Sequence, residues 1–231
     1  MMKNFEKIEG SVEFKLKKSE LLEKVERVPE EVSLICIVDD GLDEELGGEN
    51  YKKELLSSIF SDSDSDKIKF FSKSKSIIKE VKDILNKFAK NLEKDALSEE
   101  SVEELKKISE KISSMVIFMD GILIEKKQGI EQTIEGVEVI ENIKKLIDEF
   151  NTEFKKKFNI TSFLVPYPVF IAFTGDSEQI KKMLEHVLMI VPKFKLDKDE
   201  VIENIREFLK DPRSFMKSRT ILKDNYYNPC F

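Results

Sequence analysis

Residues 33–40 read SLICIVDD and are followed by Gly41, so an apolar run ends directly in two aspartates. Within this run, residues 34–38 show no alternation of polar and apolar side chains. A run of this kind is typical of a central strand in a sheet that is covered on both faces. We therefore predict a central strand here, with Cys36 buried inside it and with Asp39 and Asp40 at its carboxyl end.

Two further apolar runs end in the same way, residues 115–120 (MVIFMD, then Gly121) and residues 169–176 (VFIAFTGD). Apolar residues at helical spacing fill 75–92, 98–112 and 136–158, between these runs. Strands that alternate with helices along a chain predict an α/β layered fold. We expect a mixed sheet with helices on both faces.

Residues 116–127 carry an Asp-Gly pair, Asp120–Gly121, between two apolar segments. Asp-Gly in this position is a strong signal for a two-residue turn between antiparallel strands. The sequence therefore predicts one antiparallel hairpin near 115–127, and this hairpin makes the predicted sheet mixed.

Composition limits the kind of protein. The chain has 231 residues, a net charge of −7 and two cysteines, and we expect one α/β domain over residues 1–212 and a separate tail over 213–231. Two separated cysteines do not form a disulfide framework, which favours a cytoplasmic location. The negative charge disfavours nucleic acid as a partner. The longest apolar stretch, residues 163–173, contains two prolines and is too short to cross a bilayer, so we expect no membrane association.

Four aspartates at predicted strand ends are candidate catalytic residues: Asp39, Asp40, Asp120 and Asp176. Open α/β sheets bind ligands beyond the carboxyl ends of their strands, and carboxylates there can hold Mg²⁺ together with a phosphorylated substrate. Aspartate is also an ordinary residue of turns and helix caps. The predicted hairpin explains Asp120, and a helix cap with Gln179 at its third position explains Asp176. Asp39 and Asp40 have no such explanation.

An E-x-K step, Glu125 and Lys127, follows Asp120. With a helix before and after it, the order of elements is similar to that of a PD-(D/E)xK-type nuclease core. In the predicted hairpin, however, Asp120 lies about four residues along the strand from Glu125, too far for the two to share a metal at roughly 3.3 Å per residue. A nuclease is therefore a distant third hypothesis.

The chain has one histidine and lacks both a G-x-G-x-x-G and a G-x-x-x-x-G-K-[ST] segment. These absences give no support to a zinc set, a dinucleotide site or a P-loop. We expect no cofactor, except Mg²⁺ if the aspartates converge.

The tail combines basic and aromatic residues, in contrast to the acidic chain as a whole. The candidate partner-binding residues are Arg213, Phe215, Lys217, Arg219, Tyr226, Tyr227 and Phe231. Aromatic and arginine side chains dominate the energetics of many interfaces, so the tail is a candidate for binding a partner. The alternative is that its aromatic residues pack on the chain's own domain.

Two hypotheses for the function follow. The first is a cytosolic, non-catalytic protein that acts through a protein partner or through self-association. The second is a Mg²⁺-dependent enzyme that acts on a phosphorylated or nucleotide substrate through the strand-end aspartates. The two differ in whether those carboxylates lie together in the folded protein.

Overall fold

The computed structural model describes residues 7–8, 11–12, 16–17, 28–43, 48–60, 66–89, 99–127, 129–158, 165–193, 199–220 and 226–227. Its strands are β1 (Lys7–Ile8), β2 (Ser11–Val12), β3 (Leu16–Lys17), β4 (Leu34–Val38), β5 (Ile68–Phe71), β6 (Met115–Met119), β7 (Ile122–Lys127), β8 (Ile130–Glu135), β9 (Val169–Phe173), β10 (Met189–Val191) and β11 (Tyr226–Tyr227). Its α-helices are α1 (Gly48–Ser58), α2 (Ser74–Ala89), α3 (Glu99–Ser113), α4 (Gly136–Phe158), α5 (Ser177–Met183), α6 (Asp199–Lys210) and α7 (Pro212–Thr220). None of the helices in these ranges has both the length and the apolar character that a bilayer crossing requires.

A five-stranded sheet forms the centre of the molecule, in the order β10-β9-β6-β4-β5, and every pair of neighbours is parallel. Counted along the chain from β4, the order is 2-1-3-4-5, which is the flavodoxin-like order of doubly wound α/β sheets. The strand order reverses between β4 and β6. In such sheets the crevice at this reversal is the usual place for a ligand.

The central strand β4 divides its side chains between two cores. Leu34, Cys36 and Val38 belong to one apolar cluster, which α2, α3, α4 and α5 cover. Ile35 and Ile37 belong to the other, which α1, α6 and α7 cover. All five residues are buried, so both faces of the strand are covered, as the apolar run predicted. The α/β class with helices on both faces is confirmed, and so is the burial of Cys36, where loss of hydration raises the thiol pKa to about 12.

The hairpin is present, but its turn is not at Asp120–Gly121. The antiparallel partners are β7 and β8, in a register that runs from Ile122 opposite Glu135 to Lys127 opposite Ile130. They form a separate two-stranded sheet, and the five-stranded sheet is parallel rather than mixed. The physical reason is that all of β6 is buried and pairs with β4 and β9, which leaves it no edge for β7. The local turn signal of Asp-Gly is weaker than this burial.

The first part of the predicted tail packs against the domain. Phe215 is buried in the second cluster, with its ring centroid 5.9 Å from that of Phe208. Arg213 donates to the carbonyl oxygen of Val28 and pairs with Glu30. These contacts fit the alternative in which the tail packs on its own domain, and the predicted boundary at 212/213 falls inside α7.

The other predicted tail residues are less fully described. The side chains of Lys217 and Arg219, in α7, lie outside the described part of the chain, as does Phe231. Tyr226 and Tyr227 form β11, which pairs antiparallel with β3, and their side chains are not described. A partner-binding role for these residues stays a prediction.

Candidate functional site

Three of the four candidate aspartates come together at the strand-order reversal. Asp39 directly follows β4, Asp40 begins a 3₁₀ turn, and Asp120 directly follows the adjacent strand β6. One carboxylate oxygen from each of the three lies within 4.8 Å of the other two. We call Asp39, Asp40 and Asp120 the carboxylate cluster.

Asp39 is held rigidly. Its Oδ1 accepts a hydrogen bond of 2.9 Å from the amide of Gly41, which caps the 3₁₀ turn. Its Oδ2 accepts from the hydroxyl of Tyr51 at 3.0 Å and pairs with the Nζ of Lys193 at 2.7 Å. Burial and the charge of Asp39 raise the pKa of Tyr51, so the phenol keeps the proton that it donates. These bonds compensate for burying a residue that is only 2% exposed.

Asp120 is also buried, and its ionisation is perturbed. Its Oδ1 accepts from the amide of Gly121 at 2.7 Å, and its Oδ2 pairs with the Nζ of Lys193 at 2.5 Å. Burial raises the pKa of Asp120 to about 6. Lys193 lowers that pKa and the negative charge of Asp39 raises it, but loss of hydration is the largest contribution.

Lys193 completes the site and was missed by the sequence analysis. It lies two residues beyond β10, and its ammonium bridges Asp39 and Asp120 while it lies 5.4 Å from the ring centroid of Phe173. Burial alone would lower the pKa of Lys193, but the charges of Asp39 and Asp120 outweigh burial and raise it. The signal in the sequence is a lysine just after a buried apolar strand, as in residues 189–193 (MIVPK).

Asp40 connects the carboxylate cluster to the hairpin. Its Oδ2 accepts a hydrogen bond of 3.0 Å from the amide of Ile124 in β7. Asp40 is more exposed than Asp39 and Asp120. Of the three carboxylates, it has the best access from solvent.

Asp176 lies outside the carboxylate cluster. It is exposed, and its Oδ1 accepts from the amides of Glu178 and Gln179 at 2.7 and 3.2 Å, which caps α5. The cap interpretation of Asp176 therefore fits the structure, whereas the turn interpretation of Asp120 does not.

The loop between β9 and α5, which contains Asp176, also brings Thr174 close to Gly121. A Cβ atom at Gly121 would lie 2.7 Å from the Thr174 Oγ1 and 2.6 Å from the Cβ of Gln179, so this close approach requires glycine. Thr174 is 2% exposed, and its hydroxyl accepts from the amide of Asp176 at 3.3 Å. A hydroxyl thus lies beside the residue that follows Asp120.

Glu125, the other carboxylate of the nuclease hypothesis, has a different partner. Its Oε1 accepts a hydrogen bond of 2.5 Å from the amide of Ser74, the first residue of α2. An acidic side chain in this position satisfies an N-terminal amide of the helix and interacts favourably with the helix dipole. Among the described residues, the carboxylates grouped with Asp120 are Asp39 and Asp40, and the side chain of Lys127 is not described.

The arrangement therefore combines hard oxygen ligands with a half-buried cation at the carboxyl end of a parallel sheet. Carboxylate oxygens are the ligands that Mg²⁺ prefers, and a lysine ammonium is a common phosphate ligand. No protein-family model, curated protein or solved structure matches this chain.

Proposed function

We propose that this protein binds Mg²⁺ at the carboxylate cluster and accepts a phosphoryl group on Asp120 from a small phosphorylated donor. The observation that carries the proposal is the convergence of Asp39, Asp40 and Asp120 with Lys193 at the strand-order reversal. This convergence favours the hypothesis of a Mg²⁺-dependent enzyme over that of a non-catalytic protein. Three of the four candidate aspartates take part in it, and Asp176 does not.

The donor set fits Mg²⁺. This ion takes oxygen ligands at about 2.0–2.1 Å in octahedral geometry and commonly uses one or two carboxylates, with water and substrate phosphate in the other positions. Asp40 is the most exposed member of the cluster, and Asp39 and Asp120 would be the inner ligands. When bound, Mg²⁺ supplies charge neutralisation between the carboxylates and the phosphoryl oxygens.

The chemical step at Asp120 is a displacement at phosphorus. One carboxylate oxygen of Asp120 attacks the phosphorus atom, the bond from phosphorus to the leaving oxygen breaks, and the leaving group keeps the electron pair. The product is an acyl phosphate on Asp120, a type of intermediate that carboxylates form in other phosphoryl transfers. Lys193 is placed to exchange its carboxylate contacts for contacts with the phosphoryl oxygens, and the Thr174 hydroxyl lies near enough to Gly121 to assist it.

The pKa of Asp120 suits this role. Because it is raised to about 6, the carboxylate is ionised at neutral pH but remains a better nucleophile than a fully hydrated aspartate with a lower pKa. We expect the initial rate of phosphorylation to rise with pH, with a half-maximal value near the pKa of about 6. Mg²⁺ at saturating concentration lowers that midpoint, since the cation favours the ionised form.

The experiment is incubation of the full-length protein with acetyl phosphate, with and without millimolar Mg²⁺, followed by intact mass spectrometry. We expect the mass of one phosphoryl group to be added in the presence of Mg²⁺, and borohydride trapping to locate it at Asp120. Asp120→Asn should abolish the addition. Asp176→Asn is the matched control, because Asp176 also follows a buried strand but lies outside the cluster, and it should leave the addition unchanged.

A phosphoryl group on any other residue, or equal addition in the chelated sample, would contradict the proposal. Direct titration with Mg²⁺ separates the two halves of the proposal. Mg²⁺ binding that is lost in Asp39→Asn would leave the metal site supported even if no phosphoryl group were transferred.

Association with a protein partner or with a second copy remains our proposal for the end of the chain, residues 217–231. It is compatible with a phosphoryl-accepting site, because phosphorylation of Asp120 can affect another protein only through a surface that binds that protein. We also propose a cytoplasmic location, which the two cysteines and the buried Cys36 thiol support.

A further inference from the structure

A cavity lies at the opposite end of the parallel sheet from the carboxylate cluster. It has a volume of about 130 Å³ and is formed by the segment that leads into β9, the turn before β10 and one side of α4. An apolar cavity of about 150 Å³ holds a benzene molecule, so this one accommodates a ligand of similar size.

The walls of the cavity are mainly apolar. Pro168, Val169, Phe170, Val187 and Leu188 line it, and all five are buried. A concave site of this kind, with a few polar groups among apolar walls, is the usual form of a small-molecule site.

Three ionisable side chains also line the cavity: Lys144, Glu185 and His186. The Nζ of Lys144 lies 5.8 Å from the ring centroid of Tyr167, 5.7 Å from that of Phe170, and 3.4 Å from the Nδ1 of His186. A lysine ammonium donates and cannot accept, so His186 accepts through Nδ1 and carries its proton on Nε2 when neutral. The cation is thus fixed at the wall by two ring faces and an imidazole.

The Nε2 of His186 lies 3.7 Å from Glu141, and the hydroxyl of Tyr167 donates to Asp148 at 2.6 Å. Glu185 lines the cavity, and Glu141 and Asp148 contact two other lining residues, so three carboxylates lie close to the cavity. Such surroundings disfavour a purely anionic ligand, because the added negative charge would be repelled. Lys144 and Glu185 both line the cavity, so a ligand with one charge of each sign can contact the two of them.

A hydrogen-bonded contact between α4 and the segment before β9 keeps the cavity in shape. Asn151 of α4 donates to the carbonyl oxygen of Val165 at 3.0 Å and accepts from the Val165 amide at 2.8 Å. This double hydrogen bond is buried and fixes the start of the segment that carries Pro166, Tyr167 and Pro168. A site that is formed before binding loses less free energy on ordering.

We propose that this cavity binds a free α-amino acid with a small apolar side chain. The carboxylate of the ligand contacts Lys144, its ammonium contacts Glu185, and its side chain packs against Phe170 and Leu188. This site is independent of the proposed phosphoryl chemistry, since it lies at the other end of the strands.

The test uses three probes that share the same isobutyl body: L-valine, isovalerate, which lacks the ammonium group, and isobutylamine, which lacks the carboxylate. Saturation-transfer NMR and thermal melting of the full-length protein measure binding. We expect valine to bind and each of the other two to bind about tenfold or more weakly, because each loses a charge-assisted hydrogen bond. Equal binding of valine and isovalerate, or no saturation transfer to valine at millimolar concentration, would overturn the proposal.

Variants locate the site. Lys144→Met should weaken valine binding by about tenfold and leave isobutylamine binding unchanged, since only the carboxylate contact is lost. Lys145→Met is the matched control, because Lys145 is the next residue of α4, is exposed and pairs with Glu149. Equal effects of the two variants on valine would overturn the assignment. Should Lys144→Met lower the melting temperature, Glu185→Gln provides a second variant, which should reduce the preference for valine over isovalerate.

Discussion

β6 and β9 each lead into a loop through a phenylalanine, an aspartate and a glycine, FMDG at 118–121 and FTGD at 173–176, but the two aspartates have different roles. Asp120 is 7% exposed and shares a lysine with Asp39, whereas Asp176 is exposed and caps α5. The difference follows from the sheet. β6 lies beside β4 at the strand-order reversal, and β9 lies one strand farther away. An aspartate next to a glycine thus becomes part of a charged cluster only where neighbouring strands bring other charges to it.

The largest expected effect in this comparison is on stability when Lys193 is removed. Lys193→Met leaves Asp39 and Asp120 buried without their cation. Breaking a fully buried pair costs about 3–5 kcal/mol, and because the side chain of Lys193 is 27% exposed we expect a loss at the low end of that range. Urea unfolding measures it. Lys182→Met, which breaks an exposed pair with Glu135 near Asp176, is the control and should have a far smaller effect. If the two variants lost comparable free energy of unfolding, the ion pairs at Asp120 and near Asp176 would not differ in their contribution to stability.

The next effect is the pH dependence of stability. The pKa of Asp120 is raised from 3.8 to about 6 in the folded protein, so the folded state binds this proton more tightly than the unfolded state. The stabilisation is complete below the unfolded pKa of 3.8 and is lost as the pH rises through about 6. At about 1.4 kcal/mol per pH unit, the loss amounts to roughly 3 kcal/mol by neutral pH.

Chemical unfolding of the wild type and Asp120→Asn across this range isolates the contribution of Asp120. We expect the free energy of unfolding of the wild type to fall relative to that of the variant as the pH rises. Asp176→Asn, in contrast, should give a profile parallel to that of the wild type. If the free energy of unfolding of the wild type rose relative to that of Asp120→Asn over this pH range, the pKa of Asp120 would have to be lowered rather than raised by folding.

The smallest effect concerns Asp176 itself. Asp176→Ala removes the side chain that accepts from two amides of α5, and losing an N-cap costs about 1 kcal/mol. Asp176→Asn retains an acceptor and should cost only a few tenths. Thermal melts of the two variants test this. If alanine and asparagine were equivalent, the hydrogen bonds to Glu178 and Gln179 would not account for the role of Asp176.

Much of the fold was predictable because the signals are local. The uninterrupted apolar run of β4 and the helical spacing in α2 and α4 each depend on residues close together in the chain. The prediction of a turn at Asp120–Gly121 was wrong because it, too, relied on a local signal. The Asp-Gly pair is a local signal, and the burial of β6 between β4 and β9 is a property of the whole sheet.

The candidate site was predictable in part. Strand-end position identified Asp39, Asp40 and Asp120, but it did not distinguish them from Asp176. Lys193 is 73 residues from Asp120 in the chain, and its role depends on which strand lies where in the sheet. Sequence spacing contains no information on a contact of that kind until the strand order is known.

The β7–β8 hairpin leaves the sheet after Gly121 and returns at Gly136, and the Gly136 amide donates to the Gly121 carbonyl oxygen at 2.8 Å. The two ends of the hairpin are therefore in contact, as in a closed loop. The entropy cost of closing a loop changes only slowly with its length. The parallel sheet therefore sets few requirements on the length of the hairpin beyond Glu125. Residues 123–125 do have fixed contacts, because Leu123 is buried, the Ile124 amide donates to Asp40, and Glu125 accepts from Ser74. The glycines are also constrained, since a Cβ at Gly136 would lie 2.0 Å from the carbonyl oxygen of Asp120. The tip of the hairpin beyond Glu125 can thus change in length beside the carboxylate cluster while the core stays the same, and it is a suitable place to graft a reporter peptide.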